Sequence, residues 1–293
     1  MGPRVRPRWF VPYVFLLPVG IFLALVFGYS LVAVVIQSLR VPGILGVTNW
    51  GLGNYHGIFG DPLFWRSLGD NLKLFLVIPV MTVVGLLMAV LLYERTKGWR
   101  IYRSLAFLPY ILSVPVIGVV FSYILELNGV LNQVLDSLHL HFLVHDWLGN
   151  PNLALWSIAF IIAWQQTGLA IVLFLARLAS VDEQLYEAAM IDRANWWKRF
   201  WHITLPQLAR VIEFFVVVSL INMLSWVFSY VYVMTGGGPE QKTYVTELYI
   251  YEDAFRNGLS NLASAASVVL LLVAAALLFV QAIARKGVDR IEV

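Results

Sequence analysis

Six long apolar stretches decide what this chain can become: residues 11–36, 74–93, 105–125, 153–175, 211–234 and 262–283. A hydrocarbon core about 30 Å thick is crossed by roughly 20 residues of α-helix, and a backbone in lipid must satisfy its own hydrogen bonds. Every stretch reaches that length. The expected fold is therefore an all-α membrane protein with six transmembrane helices. With 60% hydrophobic and 13% charged residues, the chain lies far from a soluble domain, where charged residues make up about 25%.

An even number of spans puts both termini on one side, and Lys and Arg choose the side. With the N-terminus inside, fifteen basic residues face the cytoplasm and five (Arg40, Arg66, Lys73, Lys242, Arg256) face out. The orientation is N-in and C-in, with a cytoplasmic N-terminus at 1–10, a transmembrane domain at 11–284 and a cytoplasmic tail at 285–293. Arg4, Arg6 and Arg8 ahead of an apolar run resemble a signal peptide, but a signal core runs about 7–15 residues and this run is longer, so it is read as an uncleaved first span. The basic residues come in short groups between apolar stretches, which is the pattern of membrane topology and excludes a nucleic-acid partner. With no cysteine, disulfides and thiolate metal sites are excluded.

Several features inside the frame carry chemistry. Pro109 and Pro115 in the third span predict a broken helix, tolerable where neighbours satisfy the freed carbonyls. Gln165 and Gln166 stand in the middle of the fourth span, and two amides there must face the bundle interior or a wet cavity. The fifth span carries Ser219, Asn222, Ser225, Trp226 and Tyr230 at spacings of three and four. Amides, hydroxyls and aromatic faces on one stripe suit a sugar; interhelical hydrogen bonding explains them equally well, and both readings stay open. Gln165, Gln166, Asn222, Ser225, Trp226 and Tyr230 are the candidate pathway residues.

The outer loops read as surface structure. The segment from Leu39 to Lys73, rich in Gly, Asn and aromatics, reads as ordered turns. His139, His141 and His145 with Asp136 and Asp146 form no complete ligand set, so no metal is assigned. The run Thr235-Gly-Gly-Gly-Pro-Glu-Gln-Lys-Thr243 has Gln241 where a phosphate-binding loop requires glycine, so the match fails and the run reads as a tight loop.

The segment 181–206 stands apart as the long interhelical stretch that mixes charge, small residues and aromatics. Ser180-Val-Asp-Glu183 has capping-box spacing, which predicts a short helix beginning near Val181. Asn195 is placed to cap a second helix through Trp196, Trp197, Phe200 and Ile203. From the residues alone, an interfacial amphipathic helix and a coupling element for another protein are equally good readings.

Glu187-Ala-Ala-x-x-Asp192-x-Ala194 followed by Phe200-x-x-Ile203-x-Leu205-Pro206 closely resembles the EAA motif of the membrane subunits of bacterial ABC importers. Thr235 to Pro239, Thr243, Tyr249-Ile-Tyr251, Ala254-Phe255, Leu108-Pro109, Gly129, Leu131-Asn132 and Phe174-Leu-Ala-x-Leu178 resemble the carbohydrate branch, similar to the permeases for maltose and glycerol-3-phosphate. The likeness runs from about Phe15 to Ile283. It implies a type I importer transmembrane domain with a cytoplasmic coupling helix, in the bacterial cytoplasmic (inner) membrane. It implies a heterodimer with a second homologous permease subunit, two cytoplasmic ATPase subunits that bind ATP and Mg, and an extracytoplasmic solute-binding protein that delivers the sugar. This chain itself would be no enzyme and bind no cofactor. Glu187, Ala188, Ala189, Asp192, Arg193 and Ala194 would form the ATPase-docking surface. Arg193 stands where the family usually has glycine, and Arg210 where it often has proline. If the turn needs a left-handed residue, Arg193 costs about 1–2 kcal/mol. The alternative function is a self-sufficient secondary transporter, which requires an ion-coupling acid deep in a span. Glu213 is the one acid within a run and lies near the cytoplasmic end.

Overall fold

A computed structural model describes residues 11–42, 48–94 and 99–288. The proposed cytoplasmic N-terminus, the loop residues Arg95 and Lys97, and the end of the tail from residue 289 lie outside the described residues. Two compact units form, one from Met1–Asp61 with Ile250–Leu271, the other from Pro62–Tyr249 with Leu272–Val293.

The first unit opens with α1 (Val11–Leu23), a π-helical turn and α2 (Tyr29–Ser38), one apolar rod whose side chains are almost all exposed, as lipid-facing residues are. Strands β1 (Arg40–Pro42) and β2 (Thr48–Trp50) pair antiparallel, Arg40 opposite Trp50, with the guanidinium 5.5 Å from the indole centroid. Helix α3 (Gly53–Gly60) follows. Buried Asn54 donates to the carbonyls of Ser38 at 2.8 Å and Arg40 at 2.9 Å, so one amide ties the rod's end to the ribbon. The π-turn Glu252–Arg256 and the first part of α14 (Ser260–Val288) complete this unit.

The second unit is a helix bundle. Helix α4 (Pro62–Phe75) runs through Leu76 into α5 (Val77–Tyr93), giving an apolar rod of 32 residues. Together, α3 and α4 make more than half of the Leu39–Lys73 segment helical, where the sequence reads as turns. Helix α4 buries Phe64, Ser67, Asp70, Asn71 and Leu74, a stripe at helical spacing whose polar members mimic loop composition. Helix α5 shows why composition cannot reveal its facing: Val77, Ile78, Met81, Gly85 and Ala89 are buried while Val80, Val83, Leu87 and Leu91 are exposed, and both sets are apolar.

The third span is broken as the prolines predict, with α6 (Trp99–Ile111) and α7 (Val114–Ile124) meeting at 99°. After α8 (Val130–Ser137), the central helix α9 (Ala154–Leu178) packs against α5, α6 and the long α12 (Leu205–Met234). Small residues permit this: a Cβ on Gly85 would lie 2.4 Å from the Ala170 Cβ, and one on Gly168 would lie 2.8 Å from the Ala106 carbonyl. Among the described residues, five helices are long and apolar enough to cross a membrane, six if the bent α6–α7 pair counts as one span.

Candidate functional site: the coupling segment and the polar joints of the bundle

Between α9 and α12 the chain leaves the bundle as α10 (Glu183–Ile191) and returns through α11 (Trp196–Arg199) and a π-turn, Phe200–Thr204, continuous with α12. The neck is tied by Arg177 at the end of α9, whose guanidinium donates to the Gln207 carbonyl (3.0 Å), the Gln207 side-chain oxygen (2.8 Å) and the Ser180 hydroxyl (3.0 Å). Sequence reasoning counted Arg177 only as an inside charge. A planar fork of donors spanning two helix ends is work a lysine could not do.

The cap of α10 is Asp182, whose Oδ1 accepts from the Gln184 amide at 3.0 Å, and not Ser180. Ser180 instead donates its hydroxyl to the Arg177 carbonyl at 2.7 Å and belongs to the end of α9, so the helix begins at Glu183. The expected second cap stands: Asn195 Oδ1 accepts from the Lys198 amide at 2.9 Å.

The turn between the two short helices answers the question posed by Arg193. Its φ is +56°, and the amides of Arg193 and Ala194 donate to the carbonyls of Met190 (3.0 Å) and Ala189 (2.9 Å). That bond pair is a Schellman motif with Arg193 in the left-handed position where glycine is ordinarily placed. Arg193 thus sits strained in the turn, at about 1–2 kcal/mol.

Underneath, Trp196 stacks on Phe200 (centroids 5.3 Å, 9° between planes) and donates its indole N–H to Glu94 at 2.7 Å. Tyr186 leans on Tyr93 and hydrogen-bonds the Thr204 hydroxyl at 3.2 Å. These aromatics support a cleft of about 290 Å³ that Glu187 also lines. On the open side, Glu187, Ala188, Asp192 and Arg193 are exposed, and Ala189 and Ala194 half-buried. Ile191, 82% exposed, and Met190 add an apolar centre that the sequence reading passed over. Their signal was present, two apolar residues within a polar, inward-facing segment. An exposed apolar patch rimmed by charge marks an interaction surface.

The structure brings most of the candidate pathway residues together around Tyr230. Gln165 and Tyr230 are each 1% exposed and bonded to one another, the Tyr230 hydroxyl donating to Gln165 Oε1. Gln165 Nε2 donates to the Leu112 carbonyl at 2.8 Å, supplying the partner that the broken third span needs. Gln166 and Ser219, also buried, face a void of about 10 Å³ beside Asn222. Ser225 is exposed and lies off this void, whereas Trp226, though partly exposed, lines it together with Gln166, Ser219, Asn222 and Tyr230, so most of the expected stripe shares one face of α12.

At the other end of α12 the Gly-rich loop turns through Gly236 and Gly237 with φ of +58° and +90°; a Cβ on Gly237 would lie 2.6 Å from the Tyr244 ring. The Thr235 and Thr243 hydroxyls pair at 2.7 Å. Helix α13 (Thr246–Tyr251) is clipped to α4 by buried Asn71, which accepts from the Thr246 amide at 2.8 Å and donates to both Glu247 oxygens at 3.0 Å. Burial pushes the Glu247 carboxyl up to about 7, the Asn71 hydrogen bond pulling the other way. In the loop histidines, His141 pairs with Asp136 at 2.9 Å and His145 packs edge-on against Trp147.

Comparison with known proteins places this arrangement. Residues 81–290 match the family described as "Binding-protein-dependent transport system inner membrane component". The probable ABC transporter permease protein YurN of Bacillus subtilis (strain 168) is 32% identical over 283 residues, 94% of this chain and 96% of that protein. The lactose transport system permease protein LacF of Rhizobium radiobacter is 34% identical over 236 residues, 79% of each. The crystal structure of a bacterial ABC transporter involved in import of the acidic polysaccharide alginate contains a chain of the same fold (TM-score 0.81, 22% identity, 96% of both chains covered).

Proposed function

Because the chain belongs to the family of binding-protein-dependent transport system inner membrane components, we propose that it is one of two permease subunits of an ATP-driven sugar importer of the bacterial inner membrane. It contributes half of the translocation pathway and carries no engine of its own. The energy reaches it from two cytoplasmic ATPase subunits that hold ATP and Mg, and an extracytoplasmic binding protein delivers the solute.

The observation that carries this reading is the coupling segment. A short helix capped by Asp182, closed by a Schellman turn and strapped at the neck by Arg177 presents Glu187, Ala188 and Ile191 to solvent on a rigid base. Small side chains let a partner surface come close to the helix backbone, and the strap transmits its displacement to α9 and α12 together. The sugar class rests on relatives such as the lactose permease protein. No finding favours a self-sufficient carrier.

Affinity purification of the tagged chain, expressed with its partner ATPase, tests the docking role. Glu187→Lys should reduce the recovered ATPase about tenfold, a loss near 1.4 kcal/mol, while the variant still reaches the membrane. Recovery equal to wild type would remove Glu187 from the interface.

A further inference from the structure

Helix α12 spans 30 residues, about 45 Å, with the coupling segment at its start. At its far end a groove of about 550 Å³ opens between α7, the loops around Glu126 and Asp146, and the Gly-rich turn at Thr235, Gly238 and Pro239. That volume is in the range of small-ligand sites, roughly 300–1,000 Å³. Its chemistry is specific. Tyr123 presents an aromatic face, 68% exposed, at the end of α7. The charged residues of the lining are Glu126 and Asp146, both acids, and the lining holds no Lys or Arg. Asp146 is anchored by a hydrogen bond, its Oδ1 accepting from the Gly149 amide at 2.7 Å, and its carboxylate lies directly against Gly149, where a Cβ would come within 2.0 Å of Oδ2.

We propose that this groove is an entry subsite for a neutral, polyhydroxylated solute and that its two carboxylates turn acidic sugars away. The proposal rests on the importer reading above. Carboxylates accept hydrogen bonds and offer none, so they match the hydroxyl donors of a sugar, while the Tyr123 ring matches the C–H face of a pyranose. An incoming uronate would place like charge against Glu126 and Asp146 with no cation in the lining to offset it. The selection acts at the mouth, before the solute meets the buried Gln165–Tyr230 joint, which holds the third span and is not open to solvent.

Saturation-transfer NMR on the full chain in lipid nanodiscs tests the groove with three probes: lactose, maltotriose and trigalacturonate. At least one neutral probe should receive saturation, Tyr123→Ala should abolish it and Tyr123→Phe should retain it. Trigalacturonate should receive none until Glu126→Gln and Asp146→Asn are combined. Equal saturation of trigalacturonate and the neutral probes in the wild type, no saturation of either neutral probe, or indifference to Tyr123→Ala would each overturn the proposal. ATPase co-purification of the same variants, expressed with their partner subunits, separates the two readings. Normal ATPase recovery with an unresponsive groove removes only the subsite, whereas loss of ATPase binding by wild-type protein removes the importer reading.

Discussion

Two single residues carry backbone or proton energy that can be measured. Arg193 pays for its left-handed turn, so Arg193→Gly should raise the apparent melting temperature in detergent by a few degrees, the direction of a relief of about 1 kcal/mol. Arg193→Val, β-branched at the same φ, should lower it. Glu247 sets a pH dependence. Its carboxyl binds a proton more tightly in the folded chain, at about 7, than at its ordinary 4.5, so its contribution is complete below 4.5 and is lost as pH rises through about 7. Melting curves across that window should fall with pH in the wild type and flatten in Glu247→Gln, which keeps an acceptor for Asn71. The sequence showed that Arg193 departs from a motif, but the sign of φ depends on two carbonyls, those of Met190 and Ala189, that only the folded turn brings to its amides. Glu247 gave no signal at all, because its partner Asn71 lies 176 positions away.

Among the elements, the apolar runs were legible because a lipid-crossing helix needs length and hydrophobicity and little else. Pro109 and Pro115 announced the break between α6 and α7 in the same direct way. Helix α4 stayed hidden because Ser67, Asp70 and Asn71 on its buried stripe look like loop residues until Thr246 is placed opposite Ser67 and Asn71. The two central glutamines show what one sequence cannot separate. Gln165 is a joint and Gln166 faces a small void, though they are neighbours with the same amide. Replacing Gln165 by Leu strands the Leu112 carbonyl and the Tyr230 hydroxyl, a cost of about 1–3 kcal/mol per buried group. Thermal unfolding in detergent should register that loss, and an unchanged melting temperature would show that the break in the third span is held by something else. Gly85→Leu should be worse, since its first added carbon already meets Ala170 and both belong to packed helices.

Over the whole molecule, the coupling segment and the outer groove stand at opposite ends of α12, and a chain free of cysteine makes both ends addressable by single cysteines. With the orientation read from Lys and Arg, a cysteine at Gln184 should react with a membrane-impermeant maleimide only in inside-out vesicles, and one at His139 only in right-side-out cells. The central claim is that α10 lies against an ATPase, and Ala188→Cys tests it most directly. Expressed with its partner subunits and treated with a short bifunctional thiol reagent, Ala188→Cys should yield a crosslinked band containing both this chain and the ATPase. Abundant Ala188→Cys that forms no such band, while the ATPase still co-purifies, would contradict the account.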